Sequence, residues 1–186
     1  MNYKLLKTIL LACTFFIIMI SNSFTEEVKK PSVISKQYND WLLRCVEIKK
    51  KQECEIIQTL QVNNSNLKFT IIYTKFTNQE KKLKEMINII TPLGVNLQKK
   101  ISLIFHKGSK IDLLYTKCEV MGCIVSLSNN TKEKKIINQF NLIKTEMQKS
   151  EYFDIAINSF SQKPILIKSS LRGFKNALKE FNNSRS

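Results

Sequence analysis

The chain has 186 residues, with 30 basic against 15 acidic side chains, a net charge of +15 and 43% hydrophobic content. That length fits one domain with room for a sizeable core, and the hydrophobic content is that of an ordinary soluble globular protein. Several domains are excluded, and so is a core too small to stand without cross-links. The charge could attract phosphates, anionic headgroups or acidic polysaccharide. However, only Arg44, Arg172 and Arg185 are arginines, and no basic run is interleaved with aromatics. Arg is the usual residue for planar phosphate contacts, so specific nucleic-acid recognition is not expected. Abundant Lys, Ile and Asn together have a plainer source in an AT-rich coding bias.

Residues 1–7 carry Lys4 and Lys7 and no acid, residues 8–20 form an almost wholly apolar run of 13, and Ser21-Asn22-Ser23 puts small residues at positions −3 and −1 of a cleavage site. This pattern is a secretory signal peptide over residues 1–23, and its apolar run is shorter than the roughly 18 residues of a membrane span. Cleavage leaves 163 residues with 28 basic and 15 acidic side chains, a charge of +13 and no transmembrane span. Leu10-Leu11-Ala12-Cys13 resembles a lipobox, which would make Cys13 a lipidated first residue. Against that reading, only five apolar residues precede Cys13 and seven more follow it, where a lipoprotein turns polar.

Residues 24–38 are polar and contain Pro31, and they read as a linker to a domain over residues 39–181. Trp41, Leu43 and Cys45 alternate with Leu42, Arg44 and Val46, which is the period of a strand. Lys49 to Gln52 can turn the chain into a second strand, where Cys54, Ile56, Gln58 and Leu60 share a face. Gln58 there is a buried amide that needs partners, and a satisfied structural role is expected of it. A turn at residues 62–66 leads to a strand in which Phe69, Ile71 and Tyr73 alternate with polar residues. Residues 75–84 read as a charged loop and 86–91 as a strand, broken at Pro92-Leu93-Gly94-Val95. The alternations at 101–106 and 111–115 flank Lys107-Gly108-Ser109-Lys110 and form a hairpin signal. A second turn runs from Cys118 to Cys123, helped by Gly122, and strand continues to Ser128.

The period then changes. Ile136, Phe140, Ile143 and Met147 make a helical stripe over about 131–148, with Thr131 as its N-cap. Residues 151–160 and 164–167 return to strand. Leu171, Phe174, Leu178 and Phe181 give a short amphipathic helix over about 170–181, capped by Ser169 or Ser170, before a disordered tail at 182–186. The expected fold is mainly β: an antiparallel, β-sandwich-like single domain with two peripheral helices.

Cleavage retains Cys45, Cys54, Cys118 and Cys123. Four cysteines in an exported chain read as two disulfides, and three connectivities are possible. The local pairs Cys45–Cys54 and Cys118–Cys123 are favoured, because each sits at the ends of a hairpin where facing Cβ atoms come within bonding range. The spacings C-x8-C and C-x4-C fit structural zinc poorly, and no CxxC is present. Trp41 could anchor a partner, but it shares the face of Leu43 and Cys45 and is expected in the core, packed over the Cys45–Cys54 bridge.

Five pieces of punctuation occur in order: Trp41-x-x-x-Cys45, Cys54-x-Ile56-x-Gln58, Pro92-Leu93-Gly94-Val95, Cys118-x-x-x-Gly122-Cys123, and Ser170-Leu171-Arg172-Gly173-Phe174-x-x-Ala177-Leu178. Together they resemble the invasion-associated locus B family of bacterial envelope proteins, over about residues 41–178. The resemblance implies a Gram-negative periplasmic or outer-membrane-associated protein with paired cysteines and no established catalysis. It implies no transferable role in host entry, since the matching residues are scaffold.

No catalytic, cofactor or metal residues are expected. His106 is the only histidine, and no G-x-S-x-G elbow or H-E-x-x-H motif accompanies it. It lies beside a turn and is expected to face solvent. Gly94 and Gly108 serve turns rather than a phosphate-cradling loop. The leading expectation is a non-enzymatic exported protein that binds another envelope component or protein. A lysine-rich binder of lipopolysaccharide, nucleic acid or anionic lipid is the alternative, and an unrecognised hydrolase the third.

Overall fold

A computed structural model describes residues 32–48, 51–62, 65–159 and 164–184. The expected signal peptide, the lipobox residue Cys13, the first part of the linker and the last two residues lie outside them. Among the described residues the chain runs β1 (Val33–Tyr38), β2 (Trp41–Ile48), β3 (Lys51–Gln61), β4 (Lys68–Thr77), β5 (Leu83–Thr91), β6 (Ile101–Phe105), β7 (Lys110–Leu113), β8 (Lys117–Glu119) and β9 (Gly122–Ser128). Helix α1 (Lys134–Lys149), β10 (Tyr152–Ile157), β11 (Ile165–Ser170) and helix α2 (Phe174–Asn183) follow. The strands form two antiparallel sheets, one of seven in the order β1-β2-β3-β4-β5-β9-β8 and one of four in the order β11-β10-β6-β7.

The period-two alternation explains the layering. Inward residues of the larger sheet, among them Trp41, Ile56, Phe69, Ile71, Tyr73 and Ile89, share one buried cluster with Leu103, Phe105, Phe153 and Ile155 of the smaller sheet. Both helices close the same core. Helix α1 buries Phe140, Ile143 and Met147, and α2 buries Phe174, Ala177, Leu178 and Phe181. They meet at Tyr73 in the central strand, whose ring centroid lies 6.4 Å from Phe140, 6.0 Å from Phe174 and 5.7 Å from Phe181. Lys144 of α1 also reaches Glu85 of β5 at 2.6 Å.

Both disulfides form the local pairs. Cys45 faces Cys54 and Cys118 faces Cys123 directly across their ladders, with Cα atoms 4.0 and 3.9 Å apart. These four sulfurs are therefore not available as zinc ligands.

Several boundaries differ from the sequence reading. Val33–Tyr38, expected within the polar linker at 24–38, pairs with β2 as an edge strand. The charged stretch 75–84 is half strand, with residues 78–82 turning between β4 and β5. Helix α1 starts at Lys134, because the Thr131 hydroxyl accepts from the Glu133 N–H at 3.1 Å in a local turn instead of capping the helix. Helix α2 starts at Phe174 rather than near 170, since Ser169 and Ser170 belong to β11, and it continues through Asn182 and Asn183 instead of fraying. Trp41 does not pack over the Cys45–Cys54 bridge. Four residues of strand separate Trp41 from Cys45, about 13 Å, and its ring lies 4.9 Å from that of Phe174.

Gly173 stands at the N-cap of α2 with φ +89°, a left-handed conformation that favours glycine. A Cβ there would also collide with the Tyr38 carbonyl in the β1–β2 turn. Gly94 has a similar φ of +87° but nothing within 4 Å of its would-be Cβ. Gly173→Ala is therefore expected to destabilise well beyond the ~1 kcal/mol expected for Gly94→Ala, as measured by chemical unfolding; equal effects would refute the close approach. Reduction of each bridge should cost about 2–3 kcal/mol from loop closure alone. An unchanged melting temperature in reductant would contradict this.

Candidate functional site

The residues singled out from the sequence gather in two places. The first gathers Trp41, Gln58, Leu171, Gly173 and Phe174. Gln58 points inward from β3 and is 4% exposed. Its amide nitrogen donates to the carbonyls of Ser170 at 2.9 Å and Asp40 at 3.2 Å, and its oxygen accepts from the Ser169 hydroxyl at 2.5 Å. The Trp41 indole N–H donates to the same Ser170 carbonyl at 2.9 Å. The Ser170 hydroxyl donates to the Asp40 carboxylate at 2.6 Å and accepts from the Arg172 N–H at 3.2 Å. The Asp40 N–H returns a bond to the Arg172 carbonyl at 3.3 Å. A buried primary amide with both ends bonded fits the satisfied structural role. This latch joins the β1–β2 turn and β3 of one sheet to β11 of the other.

The second place holds Pro92, Leu93, Gly94, Gly122 and the Cys118–Cys123 bridge. Thr91, wholly buried at the end of β5, donates its hydroxyl to the Cys123 carbonyl at 3.1 Å. Gly122 backs onto the Thr91 carbonyl so closely that a Cβ would strike it. Val95 is buried and bridges to Ser159, while Leu93 remains exposed.

Two recesses carry chemistry that the sequence did not reveal. One of about 300 Å³ opens beside the first bridge, with Cys54, Lys75, Phe76, Leu83, Phe181 and Ser184 in its lining. The Lys75 ammonium sits 4.6 Å from the Phe181 ring centroid. Burial, opposed by Glu85 and reinforced by Lys144, holds its pKa below the usual lysine range. Burial, with Glu85 adding to it, pushes the nearby Tyr73 phenol well above its ordinary value. The second recess, about 380 Å³, lies between β7, β9 and α1 and includes Tyr115, Thr116, Ile136 and Gln139. Neither lining contains a histidine or a free thiol. The Glu85–Lys144 contact spans 59 residues, so no local pattern could have pointed to it.

His106 is part-buried in the turn after β6. Its ring stacks on Tyr152 at 4.5 Å, and Nδ1 lies 3.8 Å from the exposed Glu151 carboxylate. Neither partner is a serine, threonine or cysteine that the imidazole could activate. Among the described residues, no three His, Cys, Asp or Glu side chains gather to hold a metal, and no helix is long and apolar enough to cross a membrane.

The latch makes a sharp prediction. Gln58→Ala takes their partner from the Asp40 carbonyl and the Ser169 hydroxyl and one of two donors from the Ser170 carbonyl, and should cost about 3 kcal/mol. Gln58→Glu sets a carboxyl against those two carbonyls, which raises its pKa above the unfolded value. Its deficit relative to the unsubstituted protein should therefore be smallest below about pH 4 and grow as pH rises through the raised pKa. Urea unfolding across pH checks this, and a pH-independent deficit would contradict it.

The family model described as "Invasion associated locus B (IalB) protein" matches residues 41–182. No curated protein matches the chain. Among solved structures, the crystal structure of invasion associated protein B from Bartonella henselae is similar, with a TM-score of 0.59 and 19% identity, covering 81% of this chain and 95% of that one. At that identity the likeness is one of fold. The family match takes in the latch apart from Asp40, both bridges and α2 up to Asn182, and the chain belongs to the invasion associated locus B family.

Proposed function

We propose that the chain is an exported, non-enzymatic cell-envelope protein that works by holding another envelope component against its surface. The observation that carries this reading is the pair of cross-strand disulfides on a fold of this family. Such bridges persist where the surroundings are oxidising, as in the periplasm. Binding is favoured over catalysis because the His106 ring is stacked on Tyr152 with the Glu151 carboxylate beside it, and neither recess holds a histidine or a free thiol. The residues that make the family recognisable are spent mostly on the latch and the hairpin joints. The association with invasion in the name of the Bartonella henselae protein is left with that protein.

Fractionation of cells producing the full chain tests the reading. It expects protein in the envelope or periplasm, beginning at Phe24, with Cys45, Cys54, Cys118 and Cys123 resistant to alkylation until reduced. An intact N-terminus in the cytosol with reduced thiols would overturn it. His106→Ala is expected to change neither fold nor function. A hydrolytic turnover that this substitution abolishes while the protein still melts normally would overturn the non-enzymatic assignment.

A further inference from the structure

We propose that the recess beside the Cys45–Cys54 bridge binds a small carboxylate with an apolar body, the head pairing with Lys75 and the tail lying on Leu83 and Phe181. This site goes beyond the envelope reading, since it belongs to the fold in whatever compartment the chain resides.

The strand period decides which side chains enter the recess. Buried Ile56 and Gln58, Ile71 and Tyr73, and Ile87 and Ile89 set the inward positions of β3, β4 and β5. The same alternation, carried to the strand ends, sends Cys54, Lys75, Thr77, Leu83 and Glu85 inward and Glu53 and Phe76 to the outer face. Further along these strands the inward positions lie under the smaller sheet and the helices. At this end the cover runs out: Leu83 faces inward and is still 49% exposed. The last turn of α2, through Phe181 and Ser184, forms the opposite wall.

Charge at the recess does not balance. Lys75 stands directly opposite Glu85 in the β4–β5 ladder, yet the Glu85 carboxylate is taken by Lys144 at 2.6 Å. Two ammonium groups therefore share one carboxylate. An ammonium carries three donors. Among the described residues no oxygen accepts from that of Lys75, and its close partner is the Phe181 ring at 4.6 Å. The lowered pKa of Lys75 fits an ammonium that has lost water without gaining an anion. Other acids near this end are engaged, Glu80 with Lys82, Glu180 with Lys36 and Glu55 with Arg44. A carboxylate placed against Lys75 supplies the missing acceptor and sets two negative charges against two positive ones.

The walls narrow the ligand further. Leu83 faces Thr77 in the ladder, two residues or about 7 Å from the Lys75–Glu85 pair, so the apolar wall begins one inward step from the ammonium. A volume of about 300 Å³ is at the small end for ligand sites. Phosphate recognition favours arginine forks and helix N-termini. Among the described residues the lining holds no arginine, and α2 turns its C-terminal end toward it, which weighs against a phosphate dianion.

The test titrates the purified chain from Phe24 onward, bridges intact and labelled with nitrogen-15, with octanoate, octan-1-ol, acetate or octyl phosphate. Octanoate should shift the backbone amide signals of Lys75, Thr77, Leu83 and Phe181 saturably. It should bind about tenfold or more tighter than octanol or acetate, the worth of one charge-assisted hydrogen bond or of a buried tail. Octyl phosphate should bind no tighter than octanoate. Lys75→Met keeps an apolar stem and removes the charge, so octanoate should fall to the octanol level while octanol binding stays as it was. A lysine that served the fold alone would move both ligands or neither. If Lys75→Met lowers the melting temperature, Leu83→Asp serves instead and should abolish octanoate binding. Absence of saturable shifts at the recess, octanol or acetate equal to octanoate, tighter binding of octyl phosphate, or octanoate affinity untouched by the substitution would each overturn the proposal. Cellular location plays no part in these readouts, so this site and the export reading fail separately.

Discussion

The carbonyl oxygen of Ser170 accepts two hydrogen bonds at once, one from the Trp41 indole and one from the Gln58 amide. The two donors come from neighbouring strands of the larger sheet, and the acceptor closes the last strand of the smaller one. Both donors come from side chains that are themselves buried, where an unmet partner is costly. The surrounding contacts follow from this meeting. Phe174, four residues further on, is brought against the Trp41 ring, and Gly173 must lack a side chain because the Tyr38 carbonyl occupies that space. Tyr73 then receives the helices on its flanks. Apolar burial supplies most of the driving force for the sandwich, and this polar junction sets how the two sheets are joined.

Much of the fold was legible in the sequence because its signals are local. Strands with one wet face alternate, and hairpins carry polar turns. Cysteines at facing positions of a hairpin can only be neighbours, so the pairing could be argued from hairpin placement. Gln58 stood out as an amide in an apolar row. Elements without a local signature were hidden. β1 is an edge strand with nearly every side chain in water, so its sequence has no alternation, and it is held by backbone pairing to β2. Ser169 and Ser170 look like helix caps, and only the distant Gln58 and Asp40 reveal that they finish a strand. The partner of Trp41 was misjudged for the same reason: proximity in sequence suggested the bridge, while the ring it meets is Phe174. The recess around Lys75 joins residues from β3, β4, β5 and α2, and no one segment announces it.

The division of labour among residue types has a functional reading. The motifs that carry the resemblance to the family lie mostly at the latch and at the Thr91–Gly122 joint, where Gly173 and Gly122 leave no room for a Cβ. Family membership therefore speaks to architecture. Individual character is left to the exposed loops, where Val120, Met121 and Leu93 stand in solvent at one end of the larger sheet while the turn at residues 78–82 is wholly polar.

The latch also imposes an order of events on the growing chain. The two cystines close spans of 9 and 5 residues, whereas the Ser170 carbonyl is 112 residues from Gln58 and 129 from Trp41. A polypeptide made from its N-terminus can complete either hairpin early, but Trp41 and Gln58 must wait for almost the whole remainder to emerge. Until then the indole and the amide have only water as partner, and the larger sheet lacks its lid. A product truncated before residue 170 would stay open and be readily cleared by proteases, so full length is checked by the architecture itself.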